Sequence, residues 1–413
     1  MTSRRKVLVV ANPYPPMVSA GTTRVVRFLR HLPARGWDPT VLAVSADSMG
    51  SPVSDTRVVR APVFTPRVLL RGGRRSTRIN RWACVPDPYV TWVGPAIARG
   101  VKLAGKHDFD AIFSSSPRPS VHLVAAALAG FTGLPWLADY RDPWSTYQFR
   151  KHPTRAHQSA HRFLEARVLR EASWVTGVNQ PIVDDIVDRH PWLAECASVL
   201  PNGYDVDEDV ETVSLGPGFW IVHTGRLYGR EAQVNSFLTA LAVLPDDVKV
   251  LFVGVDETRV MPDAHRLGVA DRVRVEPFVS HGRALGYQRA ADGLLLVNGR
   301  RPESLSSKVF EYLDAGPPVF AISPAGSAAR ALFEEVGGGV CVLPDSDMAM
   351  PLRGFVESVR LGEAPRASRQ MLSRYDVTRL TDELAELLER IADGAPWWAR
   401  RNINERPAGE VSQ

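Results

Sequence analysis

Short apolar runs without a polar break alternate with segments of helical periodicity along almost the whole chain, and halfway along the scheme starts again. The first round reads "KVLVVAN" (6–12), a glycine-containing loop, "VVRFLRHLPARGW", then "PTVLAV"; it continues through "DAIFSSS", "SVHLVAAALAGFTG", "PWLADYRDPW" and "WVTGVN". Strands written as continuous apolar runs are buried on both faces, and helices between them are what cover those faces, so a parallel sheet is predicted. After "VLPNGYD" (199–205) come "FWIVHTGRL", "AQVNSFLTALAVL", "VKVLFVG", "RVRVEPFV", "GRALGYQRAA", "GLLLVN", "SSKVFEYLDAG" and "PVFAI". This second round predicts a second doubly wound domain, with Asn202-Gly203 as the turn between them.

A chain of 413 residues is long enough for two such cores. The expected division is 1–200, 201–377, a helix over 378–398 returning toward the N-terminal domain, and a polar tail over 399–413. Cys84, Cys196 and Cys341 are odd in number and far apart, which fits neither a disulfide framework nor metal-ligand spacing, so the reducing cytoplasm is the expected compartment. The run Val7 to Ala11 behind "MTSRRK" is too short for a secretory signal, and no apolar segment has the length of a membrane span. The formal net charge of +5 hides an asymmetry, because residues 1–110 hold 18 Lys and Arg against 6 Asp and no Glu. Eight arginines fall between Arg57 and Arg81 without an acidic residue, an expected contact for an anionic acceptor or the inner face of a membrane. Interleaved aromatics of the kind that grip single-stranded nucleic acid are missing there, and no nucleic-acid partner is expected.

Ligands of such sheets bind at the carboxyl ends of strands, near helix N-termini, and the cleft between two facing domains is the expected site. In "RRPESLSSKVFEYLDAGPPVF" (300–320) the free N–H groups of Ser306 and Ser307 precede a helix, Lys308 adds a charge, and Glu303 and Glu311 stand eight positions apart. A phosphate at the helix end with sugar hydroxyls on the carboxylates would use all of these groups. From spacing alone, a solvent-facing carboxylate pair with Ser306 as helix cap is the stronger reading. Arg226 follows a strand in "HTGRLYGRE", where it can hold a pyrophosphate, and Gly21 in "PPMVSAGTTR" lies at the first strand-to-helix turn. His157, His161 and Glu165 recur every four residues, which reads as a polar helix face rather than a zinc site.

Taken in order, "PYPPMVSAGTTR", "SSSPRPSVHLVAAALAGFTGLPWLADYRDPW", "LPNGYD", "HTGRLYGRE", "RVRVEPFVSHGRALGYQRAADGLLLV" and the Glu-x7-Glu element with "EYLDAGPPV" resemble the retaining nucleotide-sugar glycosyltransferases of the GT-B fold, glycosyltransferase family 4. The resemblance spans nearly the whole chain, and its centre looks like the "ADFRDPW" subgroup found in bacterial polysaccharide and natural-product gene clusters. It implies two Rossmann-like domains, an N-terminal one for the acceptor and a C-terminal one for the donor. It also implies that Glu311 binds the ribose and Glu303 the donor sugar. Arg226 and Lys308 would neutralise the diphosphate with the N–H groups of Ser306 and Ser307, and Gly21 would let the first loop close over the phosphates. His122 would face the reacting centre, Asp139, Arg141 and Asp142 would bind the acceptor, and "EPFVSH" would carry the base. The lysine common a few residues after the glycine-arginine pair is missing here, so Arg230 or Lys308 must supply that charge; no metal or other cofactor is expected. Rival readings are a pseudo-glycosyltransferase or nucleotide-sugar epimerase on the same fold, and a non-catalytic partner in a biosynthetic complex.

Overall fold

The computed structural model describes residues 4–17, 20–45, 56–66, 70, 74–147, 152–227, 229–298 and 305–394. It divides into two compact units. One runs to Pro201 and takes back the chain from Thr378, and the other is Asn202–Val377.

The first unit is built on a seven-stranded sheet in the order β3-β2-β1-β4-β5-β6-β7. Its strands are β1 (Arg5–Ala11), β2 (Trp37–Val44), β3 (Arg57–Ala61), β4 (Ala111–Ser115), β5 (Trp136–Tyr140), β6 (Trp174–Gly177) and β7 (Ala197–Val199). Every neighbouring pair is parallel. The reason lies in the side-chain period of two. Leu8 and Val10 of β1 enter one apolar cluster with Trp92, Val121 and Trp136, while Val7, Val9 and Ala11 enter another with Phe28, Leu29 and Trp37. Both faces of the strand are therefore covered.

That second cluster is completed from the far end of the sequence. The helix Val377–Asp393 places Leu380, Leu384, Leu388 and Ile391, a stripe at helical spacing, among the residues packed on β1. Arg35 donates to Asp382 at 2.6 Å and to the Thr378 carbonyl at 2.6 Å, and Arg5 donates to Asp393 at 2.7 Å. Trp397 and Trp398 and the polar tail lie outside the described residues.

The second unit carries a six-stranded sheet in the order β10-β9-β8-β11-β12-β13. Its strands are β8 (Phe219–Thr224), β9 (Val248–Val253), β10 (Val273–Glu276), β11 (Gly293–Val297), β12 (Val319–Ile322) and β13 (Gly339–Val342), again all parallel. Leu295 and Val297 of β11 face one cluster and Leu294 and Leu296 the other. Among the described residues no helix is long and apolar enough to cross a membrane.

Candidate active site

In the second unit the carboxyl ends of β8 and β9 both break into glycines with left-handed backbone, Gly225 at φ 87° and Gly254 at φ 77°. A side chain is strained at either position, and at Gly225 it would also displace a neighbour. A methyl group at Gly225 would overlap the ammonium end of Lys308, and one at Gly254 would stand 3.4 Å from the Gly225 backbone. Lys308 opens the helix Lys308–Ala315, whose stop is Gly316 at φ 102°. Burial of its ammonium lowers its pKa to about 8 against the opposing pull of Glu311, and Arg230 adds to the lowering. The lysine is thus a cation held at the end of β8 and poorly compensated.

The groups around it are fixed by hydrogen bonds. The Thr224 N–H donates to the Tyr312 hydroxyl at 2.8 Å, and Gln288 donates its amide to the Thr224 hydroxyl at 3.1 Å. Arg230 donates to the Val297 carbonyl at 2.8 Å. The ring nitrogens of His223 lie 3.0 Å from the Leu295 and Gly225 carbonyls. Burial, and after it the Lys308 charge, lowers the His223 pKa to about 3, so the ring is neutral and donates to only one of the two. Glu311, with a side chain 10% exposed, lies 3.9 Å from His281, which in turn is 2.9 Å from Glu208. Ser306 and Ser307 stand at the helix start; Ser307 makes no side-chain cap bond, so its hydroxyl leaves the end N–H groups to other acceptors. Beside the two glycines a cavity of about 490 Å³ is lined by Arg226, Leu227, Gly254, Val255, Asp256, Arg259 and Phe278. Phe278, in the "EPFVSH" stretch, is 72% exposed there. Glu303 lies outside the described residues.

In the first unit two of the expected site residues are fully buried. Asp139, at the end of β5, is fully buried, and its oxygens accept from Arg24 at 2.9 and 3.0 Å, Ser115 at 2.6 Å and Thr176 at 2.9 Å. Burial pushes its carboxyl up, but the Arg24 charge and these bonds outweigh that and hold its pKa below the ordinary value. Arg24 also donates to the Pro201 and Leu200 carbonyls. With its acceptor positions filled, Asp139 ties these elements together. His122 is likewise fully buried, stacked on Tyr140 at 4.6 Å, with Nδ1 2.9 Å from the Ser114 hydroxyl. Burial lowers its pKa to about 4, and the ring is neutral among its core neighbours. The sequence gives no sign of this, because a histidine near the start of a helix looks the same whichever way it turns.

Arg141 and Asp142 stay half-buried at the strand end, with the Arg141 N–H donating to Ser116 at 2.8 Å. Gly21 is the second residue of the helix Ala20–His31. In the helix Arg155–Leu169, Glu165 is fully buried and accepts from Ser145 and Arg189, while His161 accepts the Trp144 indole N–H at 3.1 Å. These partners make that face a packing surface.

The residues that sequence reasoning left out are Gly225, Gly254, His223 and Arg24. Two glycines directly behind apolar strands were the available signal for the first pair.

Residues 21–208 match Glycosyltransferase Family 4. The solved structures similar in fold include an Anabaena HepE in complex with UDP and glucose, with a TM-score of 0.67 and 16% identity over 94% of this chain and 99% of that one. The two units have the GT-B fold, and residues 21–208 are similar to a family 4 domain. Sucrose-phosphate synthase from Thermosynechococcus elongatus also shares the GT-B architecture, at a TM-score of 0.64 and 15% identity over 97% and 99% of the two chains. A glycosyltransferase from Rickettsia africae does so at 0.65 and 13% over 95% and 100%. No curated protein matches this chain.

Proposed function

We propose that this chain is a glycosyltransferase that moves a sugar from a nucleoside-diphosphate donor to an acceptor hydroxyl with retention of configuration, in the assembly of a bacterial polysaccharide, glycolipid or natural product. One observation carries the reading: the Lys308 ammonium is seated against Gly225 at the end of β8, one helical turn from the carboxylate of Glu311. A cation against bare backbone leaves room for a diphosphate, and a carboxylate beside it suits the paired hydroxyls of a ribose.

Breaking the bond between the anomeric carbon and the phosphate oxygen builds positive charge on the sugar and negative charge on the leaving group. Lys308, Arg226 and Arg230 and the N–H groups at Ser306 and Ser307 stabilise that negative charge, and such fixed dipoles and cations are the largest catalytic contribution available here. The acceptor hydroxyl attacks from the face the phosphate leaves and gives its proton to the departing phosphate oxygen. No side-chain nucleophile is needed, in contrast to the paired carboxylates of a retaining glycosidase. Glu303 is assigned to the donor-sugar hydroxyls, Gly21 to the loop over the phosphates, and Arg141 and Asp142 to the acceptor. The exposed ring of Phe278 supplies a stacking face for the base, and the HepE complex makes UDP the first nucleotide to test.

The test is a thermal-shift series with UDP, GDP, dTDP and ADP. A ligand that binds the native state raises Tm with its occupancy. UDP is expected to raise it, and Glu311→Ala to weaken binding about 10- to 100-fold, the worth of hydrogen bonds to a charged group. No response to any nucleotide in the wild type would refute the donor site.

A further inference from the structure

The first unit carries a groove away from the carboxyl ends of its strands. This groove, of about 450 Å³, is lined by Arg57 and Val59 of β3 and by Arg99, Lys102, Leu103 and Lys106 of the helix Val90–Ala104 and the turn behind it. Arg57 is the first residue of its strand, and Lys106 lies just ahead of β4, where the Asp110 N–H donates to the Lys6 carbonyl at the start of the sheet. The groove thus opens at the amino ends of the strands, whereas reacting ligands of such sheets lie beyond the carboxyl ends.

Four cations face this groove and none of its lining residues is acidic. Among the described residues no ion pair joins any of the four to a carboxylate. Arg57 has one side-chain partner, the Nε2 of His107 at 2.8 Å. A guanidinium only donates, so that nitrogen accepts, and the ring aims Arg57 without cancelling its charge. A helix C-terminus favours nearby cations and accounts for Lys102. It does not account for Arg57, which reaches the same groove from a different element. Like charges gathered without a counter-charge repel, and an anion in the groove relieves all four at once.

We propose that this groove is a phosphate-binding site, taking a group with more than one anionic oxygen. Arginine forks match phosphate oxygens in pairs, the two lysines add point charges, and Val59 and Leu103 give an apolar floor. Of the basic stretch apparent in the sequence only Arg57 takes part; the rest of the site exists only after folding. The phosphate is either that of a soluble pyrophosphate-bearing molecule or that of an anionic lipid headgroup, and both present the same chemistry to the groove.

Two assays separate these sources. Calorimetry with inorganic pyrophosphate reads the soluble one, and co-sedimentation with phosphatidylglycerol vesicles against pure phosphatidylcholine vesicles reads the lipid one. Wild type is compared with Lys102→Glu/Lys106→Glu and with Arg266→Ala, which removes an exposed cation from the other unit, with UDP present to fill the donor site. Binding in either assay is expected to weaken about thirtyfold or more in the double variant and to fall with added salt. It is expected to be unchanged in Arg266→Ala. The urea midpoint should equal that of wild type, since all four cations are exposed; if it does not, Arg99→Gln/Lys102→Gln replaces the double variant. Absence of binding in both assays, or equal binding by the variants with the cations removed, overturns the proposal, as does loss in Arg266→Ala alone.

Discussion

At the scale of the residue, Lys308 shows how a side chain acquires its chemistry from its seat. A lysine on an open helix turn keeps its charge far above neutral pH, but here burial against Gly225 lowers the pKa to about 8. A diphosphate beside it would favour the charged form again. Nucleotide binding is therefore expected to take up a proton near and above pH 8, and affinity to fall as pH rises through about 8. Titration calorimetry in two buffers of different ionisation enthalpy measures the uptake directly. A pH-independent affinity from about pH 7 to pH 9.5 would be incompatible with Lys308 as the phosphate cation.

Among elements, the buried carboxylate of Asp139 gathers four donor bonds and ties the helix Ala20–His31, β4, β5 and β6 to the chain leaving β7. Asp139→Asn leaves Arg24 buried without a counter-charge, which costs about 3–5 kcal/mol. Urea unfolding is the measurement. Normal stability with impaired transfer would favour an acceptor-binding role for Asp139 over the structural one. Elements also differ in how far they could be read from the sequence. The central strands β1, β4, β8 and β11 stand out because both faces are buried, whereas β3, β7 and β13 lie at sheet edges and are mostly half-buried. "RVVRA" and "ASV" carry too little apolar continuity to be told from loop.

For the whole molecule, three buried histidines make acid a shared liability. His122 and His190 have pKa values lowered to about 4 and His223 to about 3, in each case mainly by burial. Between the ordinary histidine pKa of about 6.5 and those values the unfolded chain binds protons that the folded one refuses, so stability falls as pH drops. Each histidine contributes a slope of up to about 1.4 kcal/mol per pH unit over its window. Urea midpoints at pH 7 and pH 5 are expected to differ in that direction, and equal midpoints would contradict the burial of these rings. The sequence by itself determined the two parallel sheets and a helix behind Ser306 and Ser307, because periodicity and helix ends are local properties of a few consecutive residues. Tertiary structure decided the rest. It turned His122 and Asp139 inward, brought the helix Val377–Asp393 onto β1, set Lys308 on Gly225, and gathered Arg57, Arg99, Lys102 and Lys106 around one groove. Each of these depends on contacts between residues far apart in the chain, where packing and desolvation act and local sequence carries no trace of the partner.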